Sequence, residues 1–171
     1  AKTGTTTLKR CFELLGYSHQ GYNSKLFGNI DQVLRVARRF ETFQDLPWYL
    51  YYKELDQHFP GSKFILTTRD SNRWVRSYRN ALVKQYPSLR RSLDETRRQI
   101  YGFPFPNVED DQLIERYERH NSKVRVYFTD RRDDLLMVNW ERGDDWKRLC
   151  SFLGRPVPSV HFPHENKSDY I

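Results

Sequence analysis

Apolar residues recur along this chain with two periods, and they divide it into alternating helices and strands. Leu8, Cys11, Phe12 and Leu15 fall at i, i+3, i+4 and i+7, one stripe of a helix. Gly16 is placed to end that helix in a left-handed cap. Residues 18–28 are polar and Gly-containing and read as loop. Val33, Leu34, Val36, Ala37 and Phe40 give a basic, periodic helix over 30–40. Residues 40–43 suit a short strand ending at Gln44-Asp45, and Pro47 suits the first position of a helix running to about His58. The run Lys63-Phe64-Ile65-Leu66-Thr67-Thr68 is the clearest strand. It is β-branched, apolar at its centre and preceded by a Pro60-Gly61 turn, as a buried parallel strand is. Asp70 or Ser71 caps a helix from about Asn72 to Tyr86, ended by Pro87. Helices follow over 89–101 and 110–131, with a Pro/Phe loop at 102–107 between them. Residues 135–139 form the second clear strand. Residues 144–153 form the last helix, stopped by Gly154 and Pro156, and the tail from Pro158 is irregular.

Strands alternating with helices predict an α/β fold with a parallel central sheet and helices on both faces. Ligands of such sheets bind at the carboxyl ends of the strands. Gln44-Asp45, Arg69 and Trp140 each follow a predicted strand, so they belong to that edge.

The first helix is entered through Ala1-Lys2-Thr3-Gly4-Thr5-Thr6-Thr7. A helix start leaves amide N–H groups without internal partners, and the helix dipole favours an anion there. Gly4 admits close approach because it lacks a Cβ. Thr5, Thr6 and Thr7 add hydroxyls, and Lys2 reaches a charged group as a point cation. The loop is not a Walker A motif, because the lysine precedes the only glycine and no Gly-Lys pair follows. A plain Thr-capped helix start is the bland alternative.

Composition narrows the partners. At 171 residues the chain is expected to be one domain over 1–171, large enough for a real core, with 15% aromatic residues to fill it. The balance of 29 Lys+Arg against 22 Asp+Glu gives +7 and favours anionic partners. No apolar run approaches the roughly 20 residues of a membrane span, and no signal peptide is visible. Cys11 and Cys150 lie on apolar helical stretches and read as buried free thiols, and their spacing fits no metal site.

The loop, of the form K-T-G-T-T, resembles the 5′-phosphosulfate loop of the sulfotransferases that use 3′-phosphoadenosine 5′-phosphosulfate (PAPS), with Ala1 where a proline is usual. Arg69 after its strand, with Ser77 eight residues on, resembles the 3′-phosphate motif of the same family. A 3′-phosphate suits a forked guanidinium and a hydroxyl, and ATP lacks that phosphate. Asp45, two residues before Pro47, stands where the family places a general base; its other reading is an N-cap of the helix at Pro47. The stretches Asn139-Trp140-Glu141-Arg142-Gly143-Asp144-Asp145-Trp146 and Phe162-Pro163-His164-Glu165-Asn166 are similar to the end of a sulfotransferase-like family of bacteria and lower eukaryotes.

The resemblance implies a P-loop NTPase-like three-layer fold, with an expected strand upstream of residue 1. It implies PAPS as cofactor, held by Lys2, Thr3, Gly4, Thr5, Thr6, Thr7, Arg69 and Ser77, with Lys2 and Asp45 catalytic. It implies a small-molecule or carbohydrate acceptor, no nucleic-acid partner, no metal, and a cytoplasmic location unless an upstream segment directs secretion. Two other classes compete. A small-molecule kinase would prefer Mg-ATP, which the absent Gly-Lys pair opposes. A non-catalytic basic module would bind polyanions with steep salt dependence and no nucleotide preference.

Overall fold

The structure is a computed structural model that describes residues 2–85, 98–100, 108–163 and 165. The expected loop at 102–107, most of the expected helix at 89–101, and His164 and Asn166 lie outside the described residues. The chain divides into two compact units. One comprises residues 3–67 and 131–171, and the other comprises 68–130, with Lys2 grouped in the second.

In the first unit the order is α1 (Thr5–Leu14), β1 (His19–Gln20), α2 (Ile30–Ala37), β2 (Thr42–Phe43), α3 (Tyr52–His58), β3 (Phe64–Thr67), then β4 (Leu135–Val138) and α6 (Trp146–Leu153). Between β3 and β4 the second unit supplies α4 (Ser71–Gln85) and α5 (Asp110–Tyr127). Gly16 adopts φ 79° after α1, and Tyr17 N–H closes on Phe12 O at 3.0 Å, the expected left-handed stop.

The fold is mixed α/β with parallel strands. Two separate pairs stand where a single sheet was expected: β1 beside β2, and β3 beside β4. Each pair is anchored to its own apolar cluster. Leu136, Val138 and Trp140 join Leu8, Cys11 and Phe12 of α1 and Trp146, Leu149 and Cys150 of α6. Phe43 packs instead on Leu26, Val33, Ala37, Trp48 and Leu55. The strand β1 lies inside the segment expected to be loop. Its register is set by polar groups: Ser18 N–H and Oγ donate to Glu41 Oε2 at 2.8 and 3.0 Å, and Glu41 N–H returns to Ser18 Oγ at 3.1 Å.

The helix expected from Pro47 begins only at Tyr52. Residues Trp48–Leu50 make a 3₁₀ turn, because buried Trp48 packs against α2 and gives its ring N–H to Gly21 O at 2.9 Å. Cys11 and Cys150 are buried free thiols, and burial, then the Cys150 neighbour, push the Cys11 thiol up to about 12.

In the second unit Trp74, Val75 and Tyr78 of α4 pack on Val108, Leu113 and Tyr117. Asp70 caps α4, accepting Arg73 N–H on Oδ1 at 2.9 Å.

Candidate active site

The loop ahead of α1 is fixed at the carboxyl ends of β3 and β4. Thr3 Oγ1 shares a 2.6 Å hydrogen bond with Thr67 Oγ1, on the last residue of β3. Trp140, two residues past β4, donates its ring N–H to Gly4 O at 3.2 Å. Gly4 is the N-cap of α1 with φ 87°, and a Cβ there would collide with the Trp140 ring. Any other residue therefore meets both a left-handed backbone and an indole. The tail closes the other side: Glu165 N–H donates to Thr7 Oγ1 at 3.2 Å, and Phe162 packs its ring on Trp140 and Trp146.

These contacts divide the threonines by task. Thr3 and Thr7 are buried and hold the loop in place. Thr5 and Thr6 have no side-chain hydrogen bond among the described residues, and Thr6 is exposed. Helix α1 carries no side-chain cap and no acidic residue in its first turn. Among the described residues, no side chain caps its N–H groups and no acid of its own first turn meets its dipole. Lys2, two residues ahead of Gly4, has no ion pair among the described residues.

Among the described residues, Lys2 (φ 64°) and Asp45 (φ 62°) are the non-glycines in the left-handed region. That conformation costs roughly 1–2 kcal/mol for an L-residue and concentrates where a side chain must be aimed. The two residues singled out in the sequence for chemistry are these two. As for the capping alternative at Asp45, the 3₁₀ turn has Pro47 as its N-cap with no side-chain bond, and Asp45 supplies its carbonyl to Tyr49 N–H at 3.3 Å.

Arg69 and Ser77 belong to the second unit. The Tyr117 hydroxyl accepts Arg69 N–H at 2.9 Å and donates to Arg69 O at 3.1 Å, so it clasps that backbone from both sides. Tyr117 stacks on Trp74 with centroids 4.5 Å apart, and burial raises its pKa. Ser77 lies on the buried face of α4 beside Trp74 and Tyr78. In the 139–147 stretch the acids are engaged locally. Asp144 accepts Asn139 N–H at 2.7 Å and pairs with Arg148, and Asp145 caps α6.

The sequence offered no reason to single out His19, and the structure does. Its Nδ1 lies 2.9 Å from Thr42 Oγ1, whose own proton goes to Ser18 O at 3.2 Å. Thr42 can then only accept, so Nδ1 carries the proton and Nε2 is a bare acceptor. Nε2 is buried with no hydrogen-bond partner among the described residues, and so is Gln44 Oε1. Leaving such an acceptor unmet costs about 1–3 kcal/mol. Burial, then Lys9, lower the His19 pKa, against smaller opposing effects from Glu13 and Asp45, so the imidazole is neutral at pH 7. The ring stacks on Phe12, which ties β1 to α1.

The chain belongs to the sulfotransferase domain family, which matches residues 1–171. It is similar to a protein of Aspergillus versicolor called Ava biosynthesis cluster protein M, 27% identical over 188 aligned positions. That alignment covers 98% of this chain and 66% of the relative, so the chain spans just under two thirds of that protein's length. Among the described residues no helix is long and apolar enough to cross a membrane, and no acidic, histidine and cysteine group has the makings of a metal site.

Proposed function

We propose that residues 1–171 act as one sulfotransferase domain that moves a sulfuryl group from PAPS to an acceptor hydroxyl or amine, on a P-loop type of three-layer fold. The observation that carries the reading is the N-terminus of α1: it has no side-chain cap and no acid in its first turn, and among the described residues the Thr5 and Thr6 hydroxyls have no hydrogen bond and Lys2, just ahead in the chain, has no ion pair. Those residues fit an anionic group.

When bound, PAPS supplies an activated sulfuryl group and a 3′-phosphate. The Thr5, Thr6 and Thr7 amides and the Thr5 and Thr6 hydroxyls are assigned to the 5′ end. Thr3 and Gly4 shape the loop. Lys2 supplies a fixed positive charge where negative charge develops, which is preorganised electrostatic stabilisation. Asp45 takes the acceptor proton as general base. Arg69 and Ser77 are assigned to the 3′-phosphate, a group that calls for a forked guanidinium and a hydroxyl.

The test is acceptor-dependent formation of adenosine 3′,5′-bisphosphate from PAPS, with phenolic and sugar acceptors offered in parallel. Asp45→Asn is expected to abolish formation and leave the melting curve in place. Full activity of that variant would return Asp45 to a purely structural role.

A further inference from the structure

Helix α5 grips the entry to α4 at two neighbouring points. Ser71 Oγ–H donates to Glu118 Oε1, and Tyr117, one residue earlier on α5, reaches Arg69. Arg69 stands just ahead of Asp70, which caps α4 and also takes Trp74 N–H on its carbonyl at 2.7 Å. It belongs to neither a strand nor a helix, so its N–H and C=O lie outside any ladder. The Tyr117 hydroxyl serves both, accepting Arg69 N–H at 2.9 Å and donating to Arg69 O at 3.1 Å. One hydroxyl can do this because it has a donor and two acceptor sites. Holding the peptide groups on both sides of a residue fixes φ and ψ, its two soft dihedrals, and so the direction of its Cβ. The Tyr117 ring is fixed in turn. It is buried and stacks on Trp74, with centroids 4.5 Å and planes 12° apart, and Trp74 stacks on Tyr78 at 5.1 Å. Ser77 follows Trp74 by three residues, on the same buried face of α4.

We propose that Tyr117 is a positioning residue for the 3′-phosphate pair: its hydroxyl sets the backbone of Arg69 and so the aim of the guanidinium, and its ring sets the helix face that carries Ser77. The inference rests on the assignment of Arg69 and Ser77 to that phosphate and adds the side chain that holds them. In this role Tyr117 acts through Arg69 and not on the phosphate itself. A guanidinium is a planar fork whose paired bonds depend on angle, so a small turn of its backbone costs it more than the same turn costs a point charge. The hydroxyl is needed and not only the ring. Phenylalanine would keep the stack on Trp74 and withdraw this partner from both Arg69 N–H and Arg69 O. Burial raises the Tyr117 pKa, so the proton that Arg69 O accepts stays in place at neutral pH and mildly above it.

The full chain is titrated calorimetrically with adenosine 3′,5′-bisphosphate and with adenosine 5′-phosphate, which differ in the 3′-phosphate alone. The parent is expected to prefer the bisphosphate. Tyr117→Phe should weaken the bisphosphate about tenfold and leave the 5′-phosphate where it was. Combined with Arg69→Ala, it should add no further loss. Trp74→Phe, which loosens the stack and keeps the hydroxyl, should lower the same preference by less, and it decides the matter should Tyr117→Phe not fold. A parental preference in Tyr117→Phe, or in Trp74→Phe where that variant is the one that folds, overturns the positioning role. So does an equal loss for the two nucleotides, which is what a merely structural tyrosine gives. So do losses that add to those of Arg69→Ala. In these cases a parental preference that Arg69→Ala removes leaves the sulfotransferase reading standing. A parent with no preference for the bisphosphate sinks the 3′-phosphate assignment, and the positioning role goes with it.

Discussion

The β3–β4 and β1–β2 pairs share a topology and differ in what holds them. Each is two parallel strands joined by a helical crossover. The β3–β4 pair has four residues a strand and is held by burial of Leu136 and Val138 against α1 and α6. The β1–β2 pair has two residues a strand and is registered by Ser18, Glu41, His19 and Thr42. The apolar pair therefore acts as a scaffold whose ends pin the α1 loop through Thr67 and Trp140. The polar pair gives its apolar cluster Phe43 and carries acceptor atoms without partners among the described residues. One topology thus serves two tasks, placement of the α1 loop and presentation of polar groups.

The contrast breaks most visibly through the apolar pair. Leu136→Ala removes a buried side chain from the main cluster and is expected to cost about 2–5 kcal/mol, a fall in melting temperature of about 5–15 °C. Thr42→Val, read on the same melting curve, should cost about 1 kcal/mol. Equal losses would mean that β1–β2 is as much a scaffold as β3–β4. Gly4→Ala comes next. The left-handed backbone and the Trp140 ring together predict a loss of about 2–3 kcal/mol, with anion affinity falling as the loop shifts. A neutral melting curve would show that Trp140 simply moves aside. Thr3→Val should cost about 1 kcal/mol, because Thr67 loses its partner, and nucleotide affinity should fall with it.

The smallest effect is one of pH. The folded protein holds the His19 pKa below 6.5, so the unfolded chain binds the proton first. The associated stability is whole above pH 6.5 and is lost as pH falls from there through the lowered folded pKa. Urea midpoints at pH 7.5 and 5.5 should differ less in His19→Ala than in the parent. An unchanged difference would mean that other groups carry the acid sensitivity.

What the sequence made legible follows the same division. Phe64–Thr67 and Leu135–Val138 are apolar runs with turns beside them, so burial alone marks them. The α1 loop is legible because lysine, glycine and threonines at a helix start are a local chemical signature. His19–Gln20 is two polar residues whose strand exists only through bonds to residues more than twenty positions away, and such pairing leaves no periodic trace. The late start of α3 is of the same kind, since Trp48 is turned by a contact with Gly21 that local propensity does not contain. His19 carried no local signal beyond being a lone histidine in a polar stretch. Only the register that sets it over Gly21 and beside Thr42 gives it meaning.

The most direct test of the central claim is calorimetric titration of the full chain with adenosine 3′,5′-bisphosphate and, separately, with Mg-ATP. Tight binding of the bisphosphate and weak binding of Mg-ATP are expected, with the difference reduced in Arg69→Ala. A preference for Mg-ATP, or binding of neither nucleotide, would contradict it.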